Sequence, residues 1–180
     1  MISETEALFL GGRSGVGKSR VGLAVHALLS RAKVRHALIE GDNLDLAYPP
    51  TWEHGLAEQN LAAMWQNYRA LGYRRLVYTN TACVLPEVMG ELSAAMGDTP
   101  TLTAVLLTCD DRTARARLAH RENGIELARH IERSIAMSRE LAAAAPDWVH
   151  VVDTTDRTPE DIAAAVVALT GWRTGHPAAT

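Results

Sequence analysis

Residues 7–20 read ALFLGGRSGVGKSR, and this stretch decides the fold. Ala7–Leu10 is a short, wholly apolar run ending in Gly-Gly, the pattern of a strand buried on both faces. Gly12 to Ser19 then gives Gly-x-x-x-x-Gly-Lys-Ser. Glycines let the backbone curl so that successive N–H groups point inward at an anion. From Lys18 the apolar residues fall at 21, 25, 28 and 29, which is helical spacing. A helix N-terminus therefore adds its positive dipole end at the same point. The stretch predicts a phosphate-binding loop built from Gly12, Arg13, Ser14, Gly15, Val16, Gly17, Lys18, Ser19 and Arg20. In such a loop the lysine reaches the β and γ phosphates of ATP, and the hydroxyl of Ser19 is a ligand for Mg²⁺.

Working outward, short apolar runs alternate with longer amphipathic ones. Strands are expected at 35–40, 75–80, 102–108 and 149–152. Leu61, Met64, Trp65, Tyr68 and Leu71 mark one helix face, and Leu85–Met96 is a further helix with Pro86 in its first turn. Helices are expected at 112–121 and 128–144 with Gly124 between them, and at 158–169 after a Thr-Pro-Glu-Asp start. Strands separated by helices mean a parallel sheet covered on both faces. Right-handed crossovers restrict its topology. The expectation is a three-layer α/β fold with a five-stranded parallel sheet in order 2-3-1-4-5. It forms one domain over residues 1–172, with an Arg-rich lid at about 121–133 and a flexible tail at 173–180.

Composition excludes other classes. A hydrophobic content of 47% supports a packed core rather than disorder. A net charge of −3 argues against nucleic acid as a partner. No apolar run is long enough for a membrane span. The opening MISETEALFL carries two acids and no basic region, so no signal peptide is expected. Cys83 and Cys109 make no disulfide framework, and a cytoplasmic location is expected. The small net charge hides an asymmetry. Residues 112–139 hold seven Arg against three Glu, a local +4 that leaves −7 for the remainder.

The second strand ends in Ala37-Leu-Ile-Glu-Gly-Asp42-Asn43-Leu-Asp45. Ligands of open α/β sheets bind beyond the carboxyl ends of the strands, so Asp42 should face the γ-phosphate. A carboxylate there orients or deprotonates an acceptor hydroxyl, or holds Mg²⁺ through water. The bland alternative is an Asx turn. Asn43 and Asp45 are further candidates for contact with the acceptor.

With GRSGVGKS and EGDNLD on the page, the chain resembles the small P-loop kinases, in particular adenylylsulfate kinases and gluconate kinases. Chloramphenicol phosphotransferase and the tunicamycin resistance protein are similar in layout. The resemblance covers the order of elements along the whole chain, and it implies a catalytic or metal-linked carboxylate at Asp42. The segment RLAHR, with Arg117 and Arg121 four apart on one helix face, resembles the lid entry of nucleoside monophosphate kinases. There the first Arg lies over adenine and the second contacts phosphate. Arg129 and Arg133 repeat the spacing and are lid candidates that close over the triphosphate. The alternative is a solvated helix in which Arg pairs with Glu122, Glu126 and Glu132.

The loop LDLAYPPTWEHGL at 44–56 corresponds to the acceptor region of the resembled kinases, with Trp52 a candidate contact. The third strand ends in Thr79-Asn80-Thr81, without the Asp that many P-loop proteins place there or the Asp-Gly of monophosphate kinases. That leaves metal organisation to Ser19 and Asp42, and Asn80 to the acceptor. The last strand and its T-P-E helix start resemble the adenine loop of these kinases, which makes Thr155 and Arg157 candidates. His26, His36, His130 and His150 lack metal-ligand spacing and are expected to be structural.

The expected function is ATP- and Mg²⁺-dependent transfer of the γ-phosphate to a hydroxyl of a small molecule: a sulfonucleotide, sugar, nucleoside or antibiotic. Lys18, Asp42 and Arg121 would carry the chemistry in a monomer or homodimer with no nucleic-acid or membrane partner. The alternatives are an ATP-binding regulator or slow ATPase, and a nucleoside monophosphate kinase. A GTPase is disfavoured because no Asn-Lys-x-Asp string is present.

Overall fold

The computed structural model describes residues 5–120 and 123–172. Strand β1 (Glu6–Gly11) lies at the centre of the sheet. It is flanked by β3 (Arg75–Thr79) and β4 (Thr101–Thr108), with β2 (Ala37–Glu40) and β5 (His150–Asp153) outermost. All pairings are parallel and the order is β2-β3-β1-β4-β5, as expected. The register sets Leu8 beside Val77 and Thr103, and Leu10 beside Thr79 and Val105.

The alternation of β1 side chains creates two cores. Ala7 and Phe9 point into a cluster with Leu61 and Trp65 of α2 (Leu56–Ala70) and with Met89, Leu92 and Met96 of α3 (Pro86–Met96). Leu141 of α5 (Gly124–Ala144) joins them. Leu8 and Leu10 point the other way, onto Val21, Val25 and Leu29 of α1 (Lys18–Arg31) and onto Ile162, Val166 and Val167 of α6 (Pro159–Thr170). Phe9 and Leu10 are fully buried, and each such side chain contributes about 1.5–3 kcal/mol. A strand buried on both faces cannot alternate with polar residues, which is why ALFL is continuous.

Local signals set the helix ends near the site. The carboxylate of Asp110 caps α4 (Asp111–Ala119) by accepting from Thr113 N at 2.6 Å. Hydrogen bonds from Thr113, first from its side chain and then from its backbone N–H, hold the Asp110 carboxyl below the usual carboxylate range. The hydroxyl of Thr158 caps α6 by accepting from Asp161 N at 3.1 Å, with Pro159 at the first helical position. Helix α5 starts at Gly124 instead of 128. Gly124 is both the turn residue, with φ of +64°, and the first helical residue. Ile125 is exposed, so no apolar periodicity marks that first turn. Leu71 falls one residue past the end of α2 and is exposed too.

Candidate functional site

The loop between β1 and α1 carries positive φ at Gly12, Gly15 and Gly17. At Gly12 a Cβ would lie 2.6 Å from the Leu107 carbonyl oxygen, and at Gly15 2.8 Å from that of Ala114. The loop is thus pressed against β4 and α4, and only glycine fits. A loop whose N–H groups converge on an anion must turn its carbonyls the other way, and buried carbonyls need donors. Five consecutive ones find them on side chains. Lys18 Nζ donates to Gly12 O at 2.8 Å and to Arg13 O at 3.4 Å. Ser134 Oγ donates to Ser14 O at 2.8 Å. Arg117 donates to Gly15 O at 3.5 Å and to Val16 O at 2.8 Å. Thr154 Oγ1 also donates to Val16 O, at 3.0 Å.

Arg13, expected among the phosphate contacts, turns its side chain elsewhere. Its guanidinium is 3% exposed, donates from Nε to Ser134 Oγ at 2.9 Å and pairs with Asp111 in the first turn of α4. The backbone of Arg13 belongs to the loop, while its side chain fastens the loop to α4 and α5.

A cavity of about 400 Å³ opens over the loop, lined by residues Ser14 to Val21 and reaching Asp42 on one side and Pro159 and Ile162 of α6 on the other. Asp42 lies in a short turn, Gly41–Asn43, directly after β2. Its Oδ1 accepts from Asn80 Nδ2 at 2.9 Å, and Asn80 Oδ1 accepts from Ala82 N at 2.9 Å. Asn80 thereby fixes the carboxylate across the ends of β2 and β3. The turn packs on Tyr78, whose hydroxyl lies 2.2 Å from where a Gly41 Cβ would be. Burial, with negative charge from Cys83, Asp42, Glu58 and Asp45, pushes the Tyr78 phenol far above its usual range, so it stays neutral. The Cys83 thiol is pushed up to about 12, first by burial. Asn43 donates to Glu40 Oε2 at 3.3 Å, and Asp45 offers its carbonyl to Thr51 at 3.4 Å; neither lines the cavity. Trp52 opens the short turn Trp52–His54.

On the other side, Arg117 spans two segments. Besides the loop carbonyls it donates to Thr154 Oγ1 and Thr154 O, both at 3.0 Å. Arg157 lines the cavity and donates to Asp153 O at 3.1 Å and Asp161 O at 3.3 Å. Thr155 Oγ1 accepts from Asp110 N at 3.1 Å, bracing the segment after β5 against α4. Arg121 lies outside the described residues. Arg129 pairs with Glu126 at 3.3 Å, and both it and Arg133 are exposed and outside the cavity lining. The reason is helical phase: Ile131, Ser134 and Leu141 define the buried face of α5 and leave 129 and 133 turned outward. That phase instead brings His130, expected to be structural, to the cavity, where His120 at the end of α4 joins it. The readable sign was position: His130 stands four before Ser134, and His120 three after Arg117.

Among the described residues no group of three or more His, Cys, Asp or Glu could hold a metal ion. Ser19 and Asp42 face the same cavity. A hydroxyl and one carboxylate suit a Mg²⁺ whose other ligands are phosphate and water, not a protein cage. Among the described residues no helix is long and apolar enough to cross a membrane.

No protein-family model matches this chain, and no curated protein does. Solved structures do. A tunicamycin resistance protein of Deinococcus radiodurans matches with a TM-score of 0.65 at 15% identity, over 93% of this chain and 96% of its own. A gluconokinase of Sinorhizobium meliloti matches with a TM-score of 0.61 at 19% identity, over 92% and 91%. The APS kinase of Mycobacterium tuberculosis, solved in complex with AMPPNP and APS, matches with a TM-score of 0.58 at 18% identity, over 92% and 97%. Together with the strand order, these likenesses give the chain the fold of the small P-loop kinases.

Proposed function

We propose that the chain is an ATP-dependent phosphotransferase that moves the γ-phosphate to a hydroxyl of a small molecule. The observation that carries this reading is that the glycine loop with Lys18 and the Asn80-held carboxylate of Asp42 face one cavity. The loop amides and Lys18 bind the β and γ phosphates of ATP and hold them against α1. The base lies on the α4–α6 side, near Arg117, Arg157, Pro159 and Ile162. That leaves the Asp42 side for the acceptor. Asn80 occupies one Asp42 oxygen, and the other orients the acceptor hydroxyl and takes its proton as the new O–P bond forms. The bond from the γ-phosphorus to its bridging oxygen breaks, and its electron pair leaves on ADP. Ser19 and, through water, Asp42 would hold Mg²⁺, which would supply charge neutralisation at the phosphate oxygens. We extend the reading to a cytoplasmic monomer or homodimer without nucleic-acid or membrane partners.

The test is a thermal-shift screen of hydroxyl compounds with a non-hydrolysable ATP analogue, followed by detection of the phosphorylated product. Lys18→Ala and Asp42→Ala are expected to abolish transfer, the latter sparing ATP binding. Normal turnover by Asp42→Ala overturns its assignment. ATP hydrolysis with no stabilising acceptor favours the slow ATPase instead.

A further inference from the structure

We infer that His130, and neither exposed arginine of the same helix, is the residue through which α5 contacts the nucleotide's phosphates, and that the Arg13–Ser134 clasp positions it there. This rests on the proposed nucleotide site. Three observations carry it. His130 lines the cavity over the loop, whereas Arg129 and Arg133 do not. Ser134, one turn on and on the same face of α5, is 2% exposed and is bound to the loop twice, through Ser14 O at 2.8 Å and Arg13 Nε at 2.9 Å. The anchor therefore fixes both the axial position and the rotation of α5 relative to the loop. His130 lies one helical turn, about 5.4 Å, before the anchor on the same face, and it lines the cavity over the loop. An imidazole N–H there is a donor for phosphate oxygen.

The clasp also gives a role to the one charged residue in the Gly12–Gly17 turn, whose other members are Gly, Ser and Val. Its guanidinium meets α4 at Asp111 and α5 at Ser134, so the two helices that bring His120 and His130 to the cavity are both referenced to the loop. Arg13 and Ser134 are positioning residues in this scheme, and His130 is the ligand contact.

The experiment is calorimetric binding of ATP and of AMP to the full chain and to His130→Ala, His130→Gln and, as a control on the same helix, Arg139→Ala. Loss of one phosphate hydrogen bond weakens ATP binding by about five- to tenfold. AMP, which lacks the β and γ phosphates, should change by less than about twofold. His130→Gln, which keeps an N–H donor, should restore at least part of the ATP affinity, and Arg139→Ala should leave both affinities unchanged. Unchanged ATP affinity in a folded His130→Ala overturns the inference, and so does equal weakening of ATP and AMP, which signals a structural role. If His130→Ala does not fold, His130→Leu, which fills the space without an N–H donor, decides by the same ATP-to-AMP comparison. Absence of any nucleotide binding by the unmodified chain overturns the functional reading itself, and the inference with it.

Discussion

Ser134→Ala removes one oxygen, and the structure says what that oxygen does. It accepts from Arg13 Nε and donates to the Ser14 carbonyl, at a position 2% exposed. Water cannot replace it there without rearrangement. Leaving a charged donor without its acceptor costs about 1.5–3 kcal/mol, and the orphaned carbonyl adds about 1 kcal/mol. Alanine returns about 0.5 kcal/mol of helix propensity in α5. The net loss is about 2–4 kcal/mol, which for a domain of this size lowers the unfolding midpoint by roughly 4–16 °C.

A second variant separates the clasp from simple loss of a hydroxyl. Arg13→Met keeps the apolar stem and removes the buried charge. Its partner Asp111 is 60% exposed and returns to water. In that background Ser134→Ala orphans only the Ser14 carbonyl, so its net cost, after the helix propensity alanine returns, should fall to about 0.5 kcal/mol. The coupling read from urea denaturation of the four proteins is therefore about 1.5–3 kcal/mol. A Ser134→Ala protein within about 0.5 kcal/mol of the parent, or an equal cost in both backgrounds, refutes the view that this hydroxyl holds Arg13 and the loop together.

Two further outcomes follow from separate parts of the chain. Gly15→Ala puts a Cβ 2.8 Å from the Ala114 carbonyl at a φ of +84°, so it should lose about 1–3 kcal/mol and ATP affinity together, read by thermal melting and calorimetry. His36 Nδ1 donates to Val34 O at 2.8 Å, so its Nε2 is the acceptor for His26 Nδ1 at 2.9 Å, an arrangement that a second proton on His36 breaks. Burial first, then the His26 charge, lower the His36 pKa below 6.5 in the fold, against the opposing Val34 bond. The unfolded chain then takes the proton first, so this contribution to stability is intact above the unfolded pKa and lost as pH falls through the folded one. Urea midpoints compared at neutral and mildly acidic pH should show a smaller drop for His36→Gln than for the parent; an equal drop removes His36 from the account.

What was legible in the sequence is what local pattern or topology controls. The β1–loop–α1 unit could be read because its strand, glycines and helix are contiguous, and each has its own spacing. Asp42 could be placed because every strand of a parallel sheet delivers its carboxyl end to the same edge. Arg13 could not be placed. Whether an Arg in a phosphate loop faces the anion or a buried clasp depends on Ser134, which stands 121 residues away.

Arg129 and Arg133 lie off the cavity for a different reason. Residues 129, 130 and 133 are near neighbours in sequence, but a step of one along a helix turns a side chain by about 100°. The local +4 of residues 112–139 therefore says little about charge at the cavity until the rotation of α5 is known. That rotation is set by Ile131, Ser134 and Leu141, and the apolar pattern of α5 contains it only if the one buried polar member of that face is counted with the apolar ones. Ser134 is a small hydroxyl in line with Ile131 and Leu141, and there the helix docks on backbone, at the Ser14 carbonyl, rather than on side chains. The residue that helps fix which of these three side chains lines the cavity is thus neither charged nor near the glycine motif in sequence, and it is bonded to Ser14 and Arg13.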